Sequence, residues 1–208
     1  MVRENTKSGA RTLLLSILMS APGPLVIGLG LLVGRSSTQI ADFVRRSAEL
    51  LAIIMSYVVF KLTNGESGCD IQKKALLERR SNAFVGAMMC VGGAFMIALA
   101  FMSGNTDKGN VIPGLSIALM GVIANTLFWR KYTRLNKKEP NAILAVQARL
   151  YRAKSLVDGC VTIALLSVVF FPDSSVSAQL DFAGSIVVAC YLIWCGVCTI
   201  RESAGKML

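Results

Sequence analysis

The stretch ADFVRRSAELLAIIMSYVVF, residues 41–60, decides the fold class. Its second half is apolar enough to lie in lipid, whereas its first half carries Asp42, Arg45, Arg46 and Glu49. In a helix, positions 42, 45 or 46, and 49 share one face. A charge inside a bilayer costs on the order of 3 kcal/mol unless it is paired or hydrated. This face is therefore expected to meet another polar helix or a water-filled cavity.

The composition around this stretch is that of a membrane protein. Of the 208 residues, 54% are hydrophobic and 16% are charged, and the mean hydropathy is +0.59, so the chain is too apolar for a soluble domain. An α-helix needs about 20 apolar residues to cross the hydrocarbon. Six such runs predict an all-α, polytopic protein with a single transmembrane domain over residues 1–208. The six predicted spans are approximately 12–34, 39–62, 83–103, 111–131, 151–171 and 179–200.

The distribution of basic residues predicts the orientation of these spans. Sixteen of the 22 basic residues fall on one side of the six-span arrangement, against only Arg35 and Lys108 on the other. Basic residues in short loops stay cytoplasmic, so both termini are expected to be cytoplasmic, in an integral multi-pass protein of the cell (inner) membrane. Because topology accounts for most of the +10 charge, no nucleic-acid partner is expected. Membrane lipid is the expected surrounding.

The ends of the spans carry further expectations. Span 1 is interpreted as a mature helix rather than a cleaved signal peptide, with a kink or break at Pro22 and Pro24. The polar stretches 63–82 and 132–150 are interpreted as the two longer loops. Because the sequence contains no phosphate-binding loop and no Ser/His/Asp set, an enzyme or an ATP-driven pump is disfavoured, and no cofactor is expected.

Cys195 and Cys198 form a C-x-x-C pair in span 6, with Cys190 nearby. A thiolate site is one interpretation of this spacing, but the chain contains no His and no second pair. Packing by small apolar side chains is the favoured interpretation, since free Cys is often simply buried.

Span 5 carries a second set of charges. Lys154 and Asp158 are four residues apart and share a face, with Thr162 one turn further on. Spans 2 and 5 are therefore expected to face each other or a common aqueous cavity. The alternative is snorkelling of the long basic side chains to an interface, which is favoured for Arg46 and Arg152.

The order of these residues resembles the cation diffusion facilitators, six-helix exporters of zinc, manganese and related ions. The resemblance covers nearly the whole chain. Arg80 is kept at the start of span 3, Asn82 stands where that family usually has an acid, and Asn125 corresponds to the Asn of helix four. The resembling segments are SSTQIADFVRRSAE (36–49), ERRSNAFVGAM (78–88), GVIANTLFWRKY (121–132), ARLYRAKSLVDGCVT (148–162) and LDFAGSIVVACYLIWCGVCTIRES (180–203).

The resemblance implies four metal ligands, two from helix two and two from helix five. The corresponding positions hold Arg45, Glu49, Lys154 and Asp158, so two of the four are cations. Arg offers no lone pair, and Lys coordinates only after losing a proton, so no metal site is expected. Arg45 and Lys154 are instead expected to neutralise Glu49 and Asp158, within a helix or between helices, in a four-residue ion-pair network.

The implied function is secondary transport, with substrate or ion binding by Asp42, Arg45, Glu49, Lys154, Asp158 and Asn125. Two mechanisms remain open: binding of a small cation with a basic side chain as built-in counter-ion in an antiporter, or binding of an anion or zwitterion by Arg and Lys. The alternative function is a non-transporting scaffold or partner subunit. The family's cytosolic C-terminal domain is expected to be absent, which would leave a homodimer held by the membrane helices, through GAMMCVGGAF (86–95) of span 3.

Overall fold

The computed structural model of the protein describes residues 2–33, 37–64, 70–102, 112–170 and 175–205. Within these ranges the chain is helical throughout apart from short caps and turns, and it contains no strand, which confirms the all-α prediction. The helices are α1 (Val2–Ser20), α2 (Pro22–Val33), α3 (Ser37–Thr63), α4 (Ile71–Met102), α5 (Ile112–Lys138), α6 (Ala142–Phe170) and α7 (Ser175–Gly205).

The predicted break in span 1 is confirmed. Helix α1 ends at Ser20, Ala21 forms a turn, and Pro22 begins α2. Proline suits the first position of a helix because the missing N–H would have no partner there. The backbone N–H of Leu25 reaches the Ala21 carbonyl only at 3.4 Å, so the hydrogen-bond ladder is weak across the junction. Span 1 is therefore α1 and α2, and spans 2 to 6 correspond to α3 to α7.

Three described helical stretches are long and apolar enough by themselves to cross a membrane. They are Thr6–Val26, which runs through the break, Ile71–Phe101 and Phe182–Gly205. Helices α3 and α6 carry charges in their interiors, and they pack beside these apolar helices. The fold is that of a polytopic membrane protein.

The two stretches interpreted as loops are largely helical, which corrects the prediction for 63–82 and 132–150. Helix α4 begins at Ile71 and α6 at Ala142, so both start well before their apolar segments. Lys, Arg, Glu and Gln have high helix propensity, and a helix therefore continues past the point where hydropathy falls. Hydropathy locates the lipid-crossing part of each helix but not its end.

The connection between α5 and α6 is correspondingly short, and it is capped by side chains. The Asn141 side-chain oxygen accepts hydrogen bonds from the backbone N–H groups of Ile143 (2.9 Å) and Leu144 (3.3 Å). The Asn136 side-chain oxygen accepts from the backbone N–H of Asn141 at 2.9 Å. These bonds satisfy N–H groups that the first turn of α6 leaves without a helical partner.

Helices α4 and α7 pack with their backbones in close approach. A Cβ at Gly86 would lie 2.8 Å from the Gly196 carbonyl, and a Cβ at Gly93 would lie 2.9 Å from the Ala189 carbonyl. Small residues allow this kind of contact between membrane helices. Gly86 and Gly93 of GAMMCVGGAF therefore contact α7 of the same chain, and the dimer through this segment stays a prediction.

Successive spans run in opposite directions, so the bundle has two ends at which helices start and finish. We call the terminal face the end that holds the start of α1, the end of α7, the end of α3 with the start of α4, and the α5–α6 connection. The opposite end is the far face. The best-buried side chains lie in the terminal half of the helices. Those with the largest volumes include Tyr132, Tyr151, Leu13, Ile53, Met89, Ile143 and Leu150.

Candidate functional site: a charged cavity

A cavity of about 670 Å³ lies in the far half of the bundle. Side chains from the α1–α2 break and from α3, α5 and α6 line it. We call it the charge cavity, because Arg45, Arg46, Glu49, Lys154 and Asp158 all contribute to its wall. Asn125 also lines the charge cavity. The side chain of Asp42 lies outside the described part of the structure.

Glu49 joins α3 to α6 through two cationic partners. Its Oε2 lies 3.1 Å from Lys154 Nζ on α6, and its Oε1 lies 3.4 Å from Arg45 Nη1 one turn earlier on α3. All three side chains are well buried, with 12 to 15% of their surface exposed. Spans 2 and 5 thus face each other here, and one carboxylate receives both cations.

Asp158 has a different environment. Asn125 of α5 donates a hydrogen bond of 2.6 Å from Nδ2 to Asp158 Oδ2. Within the described residues, no Lys or Arg nitrogen lies at ion-pair distance from the Asp158 carboxylate. A Cβ at Gly121 would lie 2.5 Å from Oδ2, so this glycine makes room for the carboxylate against α5. Asp158 therefore lines the charge cavity as a carboxylate held by a neutral amide.

Stacked aromatic rings separate the charge cavity from the terminal half of the bundle. The centroid of the Tyr151 ring lies 5.1 Å from that of Phe128 and 5.4 Å from that of Tyr132. The Tyr132 hydroxyl shares a 2.8 Å hydrogen bond with Ser16 of α1. This cluster joins three helices, α1, α5 and α6, to one another beneath the site.

Tyr151 is a site residue that the sequence analysis missed. Only 1% of its surface is exposed, and its hydroxyl has no hydrogen-bond partner among the described residues, although it lines the charge cavity. Lys154 Nζ lies 5.3 Å from the centroid of its ring. The available signal was its position three residues before Lys154, which places both side chains on one helix face.

The two arginines for which snorkelling was favoured have different positions. Arg152 is exposed, and its guanidinium lies over the Tyr191 ring at 5.7 Å from the centroid. Arg46 lines the charge cavity beside the α1–α2 break, where a Cβ at Gly23 would lie 3.4 Å from its Cδ. Arg46 therefore adds positive charge to the cavity wall.

Metal-ligating side chains are not clustered among the described residues. No cluster of three or more His, Cys, Asp or Glu side chains that could hold a metal ion occurs among them. The C-x-x-C pair lies on α7, with Cys195 buried and Cys198 half-buried, and both thiols are free. The neighbouring Cys90 donates a weak hydrogen bond of 3.6 Å to the Ile193 carbonyl. Cys90 therefore belongs to the close α4–α7 contact.

These features define a class of protein: a polytopic helical membrane protein with a charged cavity enclosed by its spans. The chain matches the cation efflux transmembrane domain over residues 13–208, and it belongs to that family. The comparison with curated proteins found no match. Members of the cation efflux family are transporters.

Proposed function

We propose that this protein is a secondary transporter that binds a small cation in the charge cavity, between α3 and α6. The observation that carries the proposal is the 3.1 Å ion pair between Lys154 and Glu49. It joins the two helices at positions where the family resemblance implies metal ligands. Arg45 and Lys154 repel a divalent ion twice as strongly as a monovalent ion, because the Coulomb energy is proportional to the charge of the ion. The substrate we propose is therefore a monovalent cation.

The proposed binding site is built around the two carboxylates. Asp158 and the Asn125 side-chain oxygen form one side, and Glu49 forms the other once Lys154 moves away. Glu49 keeps Arg45 as a partner throughout, so its own carboxylate is never left with an uncompensated buried charge. A cation that binds therefore displaces Lys154, and Lys154 returns to Glu49 when the cation leaves.

Lys154 would serve as a built-in counter-ion. In the empty state the positive charges of Arg45 and Lys154 balance the negative charges of Glu49 and Asp158, and Arg46 at the cavity wall adds one further positive charge. When the empty carrier returns with the four balanced charges paired off, no uncompensated charge of this set moves through the membrane. Moving such a charge would have a high free-energy cost. Exchange could thus proceed without a titrating His, a residue that the chain lacks.

We further propose that the terminal face is cytoplasmic and that the structure represents an outward-facing state. The excess of basic residues at this face supports the orientation. The aromatic cluster on the terminal side of the charge cavity supports the assignment of the state. A homodimer, which is typical of the family, is also proposed, through a helix face other than the one that α7 covers.

Uptake by proteoliposomes tests the transport proposal. The parent protein is expected to accumulate one of Na⁺, K⁺, Rb⁺ or Li⁺, and both Asp158→Asn and Glu49→Gln are expected to lower the flux at least about tenfold by removing a charged contact. Asp70→Asn is the matched control, since Asp70 is exposed at the terminal face. Folded protein that moves none of these cations, nor Zn²⁺ or Mn²⁺, would rule out cation transport.

A scaffold or partner subunit is the second candidate function. It is favoured by the two ion pairs of Glu49, whose carboxylate contacts both Arg45 and Lys154. A locked ion-pair network of this kind holds α3 against α6 and needs no movement. Absence of flux for cations and small anions, together with normal folding, is the result that supports this candidate.

A further inference from the structure

A second cavity of about 490 Å³ lies at the terminal face, between the start of α4, the start of α6 and the end of α7. We call it the terminal cavity. It shares no lining residue with the charge cavity. Its volume falls within the range of about 300–1,000 Å³ that is usual for small-molecule sites. One wall is apolar and includes Ala75, Leu76, Ala145 and Val146.

The two guanidinium groups at the terminal cavity are already engaged. Arg149 makes a bidentate contact with Glu202, with N···O distances of 3.1 Å, and also donates to the Thr199 hydroxyl at 3.1 Å. Arg79 donates to the Ala204 carbonyl at 3.0 Å. An anion would have to break these contacts while it approached the carboxylates of Glu78 and Glu202, so the terminal cavity is poorly suited to a phosphate or carboxylate ligand.

One acceptor in the wall of the terminal cavity, the side-chain oxygen of Asn82, has no donor among the described residues. Asn82 itself is only 6% exposed. A buried acceptor without a donor is costly, and its position in a cavity indicates a ligand that donates. Glu78 lies four residues before Asn82 on α4, so its carboxylate shares the same helix face.

The side chains of the cavity wall limit the class of ligand further. A metal ion is disfavoured because the described residues contain no cluster of three or more His, Cys, Asp or Glu ligands. A single water would satisfy Asn82 but would leave the apolar wall uncovered. We propose that the terminal cavity binds a primary ammonium compound with a short apolar body. The ammonium donates to Asn82 and Glu78, and the body packs against the side chains of Ala75, Ala145 and Val146.

Calorimetry on the purified full chain in detergent, with n-hexylamine as the probe, tests this site independently of transport. Hexylamine is expected to bind at least about tenfold more tightly than n-hexanol, which has the same body without the charge. Asn82→Leu removes the acceptor at similar volume and is expected to weaken hexylamine binding at least about tenfold. Asn82→Asp is expected to tighten it, because a carboxylate binds an ammonium more strongly than an amide does.

Controls separate the terminal cavity from the charge cavity. Asp158→Asn is expected to leave hexylamine binding unchanged, and thermal unfolding checks that each variant is folded. The proposal is overturned if Asp158→Asn abolishes binding while Asn82→Leu and Asn82→Asp leave it unchanged, since the amine would then occupy the charge cavity. Equal binding of hexanol and hexylamine, or binding of inorganic phosphate or Zn²⁺ that Asn82→Leu removes, would also overturn it.

Discussion

At the scale of single residues, the two carboxylates of the charge cavity have unequal partners. Glu49 receives two cations, whereas Asp158 receives the neutral amide of Asn125. A carboxylate that keeps an amide partner can exchange a bound cation without losing all its contacts. We therefore assign substrate contact first to Asp158, and to Glu49 the task of holding Lys154 between transport events.

The Lys154–Glu49 pair predicts a stability difference between single and double variants. Lys154→Met leaves Glu49 buried with Arg45 alone and is expected to destabilise the protein by about 3 kcal/mol, the lower end for a broken buried pair. Lys154→Met with Glu49→Gln removes both charges and is expected to cost less. Unfolding in detergent measures both. Equal losses of unfolding free energy in the single and double variants would show that Lys154 and Glu49 do not form a stabilising ion pair.

A metal site can be tested by replacing the two cations with histidine. Arg45→His with Lys154→His places two imidazoles beside Glu49, with Asp158 on the same face of α6, and is expected to create Zn²⁺ or Cd²⁺ binding measurable by calorimetry. Arg45→His with Arg152→His is the matched control, because Arg152 is exposed beside Tyr191. If neither double variant binds metal, the correspondence with the family's ligand positions is wrong.

Part of this site follows from the sequence, and part depends on tertiary contacts. Helical spacing places Arg45 with Glu49 and Lys154 with Asp158. The sequence does not decide that Lys154 contacts Glu49 rather than Asp158, because that choice depends on Asn125, which approaches Asp158 from another helix. Tyr151 was missed for a similar reason: an aromatic residue in a span is ordinarily a packing residue. Only the structure shows that Tyr151 lines the charge cavity and that its hydroxyl has no hydrogen-bond partner among the described residues.

At the scale of helices, the spans were predictable because each needs an apolar run, but the helix ends were not. The start of α6 has a readable signal in Pro140–Asn141, a proline followed by a capping residue, whereas α4 starts within a charged segment. The choice of packing partner was also not predictable. The glycines of α4 suit a dimer interface or a neighbouring helix equally well, and the structure places α7 against them.

The close contact between α4 and α7 predicts that added methyl groups have unequal effects. A Cβ at Gly196 would lie 2.6 Å from both the Cys90 sulfur and the Gly86 carbonyl, so Gly196→Ala is expected to cost about 1–3 kcal/mol through overpacking. Gly159→Ala is the matched control, since nothing lies within 4 Å of its added Cβ. That variant is expected to gain about 0.5–1 kcal/mol from helix propensity. Similar melting temperatures for the two variants would contradict the close packing of α4 against α7.

At the scale of the whole molecule, buried side chains are distributed unequally between the two ends. The terminal half holds most of the large buried residues and the aromatic cluster, whereas the charge cavity lies in the far half. Alternating access requires that the helices part on one side as they close on the other. In the transport cycle we propose, the Ser16–Tyr132 hydrogen bond and the Tyr151 stack are the contacts that separate when a substrate leaves toward the terminal face.

This asymmetry predicts which positions a thiol reagent reaches from each side of the membrane. In a version of the chain with its six cysteines replaced by Ser, Val161→Cys in the charge cavity is expected to react with a membrane-impermeant reagent added outside cells. Gly205→Cys at the terminal face is expected to react only in inverted vesicles, and Ala153→Cys, which is fully buried, in neither. In the proposed cycle, opening toward the cytoplasm closes the far half of the bundle. A transported cation is therefore expected to change the rate at which Val161→Cys reacts with the thiol reagent. Labelling of Val161→Cys from the inside alone, with Gly205→Cys labelled from the outside, would reverse the proposed orientation.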